Sequence, residues 1–323
     1  MALDGVPWFI GGQAEHGGDV ARQLAYLACG GSEGVTAPGD LKVVPLDQAG
    51  PGVKVLAGSA SILNRVSPQQ AYTVRNPTAD PDSVKIAGTG STGGRADLVV
   101  CLVDNPNIDS NAQTPADLGK GPYDRFDIIA GVPAGTRRLQ DLDAYKGTSG
   151  YALARIDQPA NNAVITSAMI TDLRKLTRAR ETTIPISDLG VSTATLSATA
   201  GTVFPPFQPT VEVPDWATYV RVELSIAGLS ALGNSTGFYN VQLQNASGGN
   251  VIAGNTIAYN ADAVVTSTRM PLLGLAEGDV TALRGQTLRP TVVMRKSAAA
   301  QANLKYDASS QLLFRVTFYE RIS

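Results

Sequence analysis

Two stretches in the last third of the chain place apolar residues at every second position. In Tyr219–Ile226, Val220, Val222, Leu224 and Ile226 stand against Arg221, Glu223 and Ser225. In Leu312–Tyr319, Leu312, Phe314, Val316 and Phe318 share one face. A period of two sends successive side chains to opposite faces of a sheet, so each stretch predicts a strand with one buried and one polar face. Thr210–Val213, Gly237–Leu243, Val251–Tyr259, Val264–Thr268 and Leu288–Met294 add further strands. Seven or so strands over about 115 residues predict a jelly-roll-like C-terminal β-sandwich at 210–323.

Residues 1–160 predict a second β-rich body, mainly antiparallel, with one short helix. The helix is expected at Gly18–Ala28, with Asp19 as its cap and Gly30–Gly31 as its stop. Val20, Leu24, Leu27 and Ala28 form its apolar face. Strands are then expected at Val53–Ala57, Ala60–Leu63, Gln70–Val74, Ser83–Ala87, Ala96–Val103, Asp127–Ala130 and Tyr151–Ile156. The 33 glycines and 19 prolines supply the turns such strands need, as at Ala49–Gly52, Asp80–Asp82 and Gly88–Gly94. The polar loop 104–124 is the longest irregular piece, and loops of that length are usually functional, here as a contact arm.

Between the two bodies the pattern changes. Ile165, Met169, Leu173 and Leu176 recur at helical spacing, Arg174, Lys175, Arg178 and Arg180 cluster at the C-terminal end, and Pro185 bars continuation. This predicts a connecting helix within 161–182, with cations complementing its dipole. Its apolar stripe has two readings: docking onto the first domain, or self-association about a symmetry axis as a homotrimer. Residues 183–209, rich in Thr, Ser, Ala and Pro, read as a linker.

The chain offers little for catalysis. Its 26 basic and 28 acidic residues give no nucleic-acid footprint and no basic cluster for a membrane surface. Neither a signal peptide nor an apolar run long enough to span a membrane is expected. The two cysteines, Cys29 and Cys101, make neither a disulfide framework nor a zinc motif. His16, the only histidine, reads as a surface or capping residue. Gly88–Arg95 lacks the lysine of a phosphate loop. Asp104–Asn111 offers oxygen ligands at alternate positions but lacks the glycine and distal glutamate of a calcium loop, so neither metal nor cofactor is expected. Trp216, Tyr239 and Tyr259, beside turns rich in short polar residues, could stack on a sugar, although filling the core is the commoner use of such aromatics.

Five segments carry a family resemblance: Gly30–Gly–Ser–Glu–Gly34; Pro38–Gly–Asp–Leu–Lys–Val43; Pro51–Gly–Val–Lys–Val55 with Gly58–Ser–Ala–Ser–Ile62; Gly94–Arg–Ala–Asp–Leu–Val–Val100 leading to Asp104; and Val164–Ile–Thr–Ser–Ala–Met–Ile–Thr–Asp–Leu–Arg174. Over residues 1–180 the chain resembles the N-terminal domain of minor tail proteins from siphophages of Gram-positive, particularly actinobacterial, hosts. The resemblance implies a virion protein of the tail tip, assembled in the host cytoplasm. Its first domain would anchor in the baseplate among other tail proteins, and its C-terminal domain would face outward. The family brings no catalytic residues. The alternative is a receptor- or carbohydrate-binding tail protein that recognises the host cell wall.

Overall fold

The computed structural model describes residues 17–188, 193–262 and 266–322, side chains at 80–83 excepted. His16 and part of the strand expected at Val264–Thr268 lie outside the described residues. The chain is mainly β and divides into two compact units, one ending at Arg178 and one spanning Ala179–Arg321. No described helix is long and apolar enough to cross a membrane.

Among the described residues the first unit holds three antiparallel sheets. The largest runs in the order Ile170–Asp172, Gly150–Gln158, Arg95–Val103, Asp124–Ile129. Its inner strand Arg95–Val103 is buried on both faces, which explains an apolar run without alternation. Val99, Cys101 and Val103 enter one core cluster, and Leu98, Val100 and Leu102 another. A bulge in the neighbouring strand shifts register between Val99 and Val100. It switches parity, so that Tyr151 and Leu153 before it and Ala154 and Ile156 after it all reach the same cluster. Asp97 is the polar exception. Fully buried, it accepts from Arg95 Nε at 2.8 Å, Gln158 Nε2 at 2.9 Å and the Gly131 amide at 2.9 Å.

The helix Gly18–Ala28 forms as expected, and Gly30 and Gly31 end it with φ of 62° and 71°. Two details differ. Gly17 rather than Asp19 is the N-cap, and Asp19 instead pairs with Arg22 one turn on. The expected apolar face turns outward, with Leu24 and Leu27 exposed, while Arg22 hydrogen-bonds Gln70 and lies over the Tyr72 ring.

The connecting helix expected within 161–182 does not form. Ser167–Met169 makes a single 3-10 turn, Ile170–Asp172 pairs antiparallel with Gly150–Gln158, and the chain then turns. Local chemistry favours this. The Asp172 carboxylate accepts from the Arg174 amide at 3.0 Å, a side-chain-to-backbone bond that competes with helix. Thr166, Ile170 and Thr171 are β-branched and suit the extended state.

The second unit is a β-sandwich. One sheet contains Glu181–Asp188, Gln311–Tyr319, Tyr219–Ala231 and Thr268–Asp279; Thr287–Lys296 and Ser235–Gln244 lead the other. Val220, Val222, Leu224, Ile226, Leu312, Phe314, Val316 and Phe318 all point into one core. At Gly228 (φ 70°) a register shift resets the alternation, so Leu229 and Ala231 stay inside. The expected linker is structured where it begins. Glu181–Asp188 pairs along its whole length with Gln311–Tyr319, and Ile184 and Ile186 pack on the core. It forms one flank of the sheet, where Pro185 is tolerated because an edge strand can lack an amide. Thr268–Asp279, which pairs only with Tyr219–Ala231 among the described residues, forms the other flank and contains Pro271. Arg180 and Glu320 close the end of the unit through two parallel 2.8 Å bonds.

Two outcomes follow. A fragment of residues 179–323 should melt cooperatively, whereas 210–323, stripped of the Glu181–Asp188 flank, should aggregate; equal melting temperatures of the two would show the flank to be dispensable. Burial, reinforced by Asp124, pushes the Cys101 thiol from near 9 up to about 12. Its folded value exceeds its unfolded one, so the associated stability is complete below pH 9 and lost as pH rises toward 12. The urea midpoint should fall across that window, and by less in Cys101→Ala.

Candidate functional site

The expected site residues do not converge. Ile165 and Leu173 are buried in the first unit, and Met169 and Leu176 are half-buried against its cores. The stripe read as an oligomerisation surface is therefore interior, with no helix to present it. Tyr239 and Tyr259 are likewise interior, 5% and 4% exposed, so neither can stack on a sugar. Tyr239 spans the sandwich and donates its hydroxyl to the Leu273 carbonyl at 2.6 Å. Gly274 makes room nearby, since a Cβ there would lie 2.6 Å from a Val241 methyl. Tyr259 crosses over Gly237, its pairing partner, and reaches the Arg295 carbonyl. Trp216 is half-buried at the end of the core, with the Arg180 guanidinium 5.4 Å from its ring.

The loop 104–124 is held by its own side chains. Asp104 pairs with Arg125, the Asp109 and Asp117 carboxylates accept from amides two residues on, and Tyr123 donates to the Leu118 carbonyl. Among the described residues no cluster of acidic, His or Cys side chains could hold a metal. The spacing of a nucleophile elbow, Gly-x-Ser-x-Gly, occurs twice, and neither instance is an elbow. Ser32 follows a helix in an exposed turn, and Ser235 is fully buried at the start of a strand.

Sequence reasoning missed a cleft of about 610 Å³ in the first unit. Four segments far apart in sequence build it. Tyr151 and Ala152 come from the strand Gly150–Gln158, and Leu173, Arg174 and Lys175 from the turn after Ile170–Asp172. Arg137, Arg138, Gln140 and Asp141 surround a 3-10 turn, and Ser32 and Glu33 complete the wall. The turn at 173–175 is pinned from three sides. Leu173 N donates to the Leu153 carbonyl, Lys175 N to the Tyr151 hydroxyl at 2.5 Å, and Val35 N to the Lys175 carbonyl at 2.8 Å. Gly34 (φ 153°) permits the last contact, since a Cβ there would sit 2.3 Å from that carbonyl oxygen. The buried Arg174 guanidinium binds the Asp172 carboxylate with two nitrogens and the Pro38 and Asp40 carbonyls with the third. Asp141 fixes the opposite wall by accepting from the Arg138 amide and side chain. Burial pushes the Tyr151 phenol up to about 12, so at neutral pH it keeps its proton as a donor.

No family model matches the chain, and no curated protein matches it. Solved structures that resemble it include viral capsid proteins. One is infectious bursal disease virus Gt strain, with 14% identity over 90% of this chain and 71% of that one and a TM-score of 0.28. Another is the VP2 subviral particle of the same virus, with 10% identity over 90% and 76% and a TM-score of 0.25. PBSX exported protein XepA gives 11% identity over 89% and 87% and a TM-score of 0.18. Likenesses this slight assign no role.

The two uses of Tyr239 separate on substitution. Tyr239→Phe removes the bond to Leu273 and should cost about 1–2 kcal/mol in chemical denaturation, while leaving any binding to a panel of polysaccharides unchanged. A variant of unaltered stability with impaired polysaccharide binding would return Tyr239 to the saccharide account.

Proposed function

We propose that the chain is a structural component of a phage tail tip, a minor tail or baseplate protein of a siphophage with a Gram-positive, actinobacterial host, and that it is not an enzyme. The observation that carries this reading is the use to which the resembling segments put their polar and glycine residues. Gly34 receives the Lys175 carbonyl, and Gly58 (φ 151°) lies so close to Asp40 and Leu41 that a side chain could not fit. Asp97 is saturated by Arg95, Gln158 and an amide, and Arg174 ties Asp172 to the 38–40 turn. These residues hold strands and turns in place, as an anchoring module requires, and none is left as a nucleophile beside a base.

In this reading the first unit sits in the baseplate among other tail proteins, and the sandwich is the part offered to the host. Closed cyclic symmetry is the rule for such assemblies, and the chain is a homotrimer made through faces other than the 165–176 stripe. Host-saccharide recognition is the lesser alternative, because only Trp216 of its three residues keeps part of its ring accessible.

Antibodies against the chain should decorate the tail tip in electron micrographs of particles from the strain that encodes it. Decoration of heads, or none on any particle, contradicts the assignment. The purified chain should release neither reducing sugars nor peptides from host peptidoglycan or arabinogalactan-type polymers. Release that a single Asp or Glu substitution abolishes would make it an enzyme.

A further inference from the structure

The cleft of the first unit contains more binding capacity than the fold consumes. Four of its wall residues are cationic, and two of these are matched: Arg138 by Asp141 and Arg174 by Asp172. The carboxylate of Glu33 is matched by Arg65 at 2.6 Å. The Arg137 guanidinium and Lys175 ammonium, both on exposed residues, have no carboxylate within ion-pair distance among the described residues. Tyr151 is the third uncommitted group. It is 6% exposed and lines the cleft, and its oxygen accepts the Lys175 amide. Its own proton has no acceptor among the described residues. One buried neutral donor and two free cations therefore face one cavity, a donor set suited to an anionic group.

The rest of the wall narrows the class of anion. Ala152 and Leu173 supply an apolar floor, and about 610 Å³ is far more than an inorganic ion fills, though ordinary for an organic ligand. The carboxylates of Glu33, Asp141 and Asp172 oppose a polyphosphate through like-charge repulsion. They also retain acceptor capacity. The Gln140 amide nitrogen is spent on the Thr148 and Gly150 carbonyls, leaving its Oε1 as a further acceptor. Acceptors interspersed with donors match a polypeptide backbone, which brings N–H groups of its own. We propose that this cleft binds an acidic segment of another polypeptide, its carboxylate held by Lys175, Arg137 and the Tyr151 hydroxyl.

The inference does not rest on the tail-tip reading, because its test uses the isolated chain. The probes are the blocked tripeptide acetyl-Ala-Glu-Ala-amide, its Gln counterpart, succinate and inorganic phosphate. Each is titrated at low ionic strength into isotope-labelled full-length protein, with the backbone amides followed by NMR. The Glu peptide should shift the amides of 137–141 and 173–175 in a saturable way, and added salt should weaken it. Lys175→Met and Arg137→Met remove charge from exposed side chains and should each weaken binding about tenfold without changing the melting temperature. Tyr151→Phe should weaken it as well. Equal binding of the Gln peptide overturns the proposal. So does tighter binding of phosphate or succinate, which would make the cleft a small-anion site. Saturation that ignores both Met variants, or no shift at millimolar peptide, also overturns it.

Discussion

A strand covered on both faces admits almost nothing but apolar side chains, and the first unit is organised around one such strand. Arg95–Val103 sends Val99, Cys101 and Val103 to one core and Leu98, Val100 and Leu102 to the other. Burying both faces gains hydrophobic stabilisation from nearly every residue, and it forces any polar group there to be fully satisfied. Asp97 meets that condition with Arg95, Gln158 and an amide from the turn after Asp124–Ile129, so it also fixes both neighbouring strands against the inner one. One of those neighbours carries Tyr151 and Ala152 to the cleft. The geometry of the site is thus set by packing on a strand that contributes no residue to it.

The strands that were legible from sequence are those whose two faces differ chemically, such as Tyr219–Ala231 and Gln311–Tyr319. Thr268–Asp279 escaped because its contrast is inverted. Leu272, Gly274, Ala276 and Gly278 face inward, three of the four small, with Gly274 beside the Tyr239 ring from the opposite sheet, while Leu273 and Leu275 face out. The connecting helix expected within 161–182 fails for a related reason. Apolar residues three and four apart fit a helix, but they fit equally well a chain that reaches two cores through a turn, a strand and a second turn. What distinguishes the cases is local. Asp172 bonds the Arg174 amide and side chain, and a short strand finds a free partner in Gly150–Gln158.

The cleft had no comparable signature. Its residues come from four segments, and no spacing joins Glu33, Arg137, Tyr151 and Lys175. Arg174 and Lys175 were visible as a basic pair, but helix-dipole logic accounted for them before their environment was known. In the fold they part company. Both line the cleft, but the Arg174 guanidinium is buried and committed to Asp172 and the backbone of 38–40, whereas Lys175 is exposed. Adjacent like charges with opposite destinations cannot be told apart without the turn that separates them.

The prolines in two flanking strands of the sandwich sheet that holds Tyr219–Ala231 bear on how wide that sheet can become. Pro185 lies in Glu181–Asp188 and Pro271 in Thr268–Asp279, so each of these two flanking strands lacks one amide. Proline on an edge strand is one of the devices that discourages a further strand from pairing there, so templated growth is disfavoured along these two strands. The strands that close the sheet thus also limit how far it can be extended.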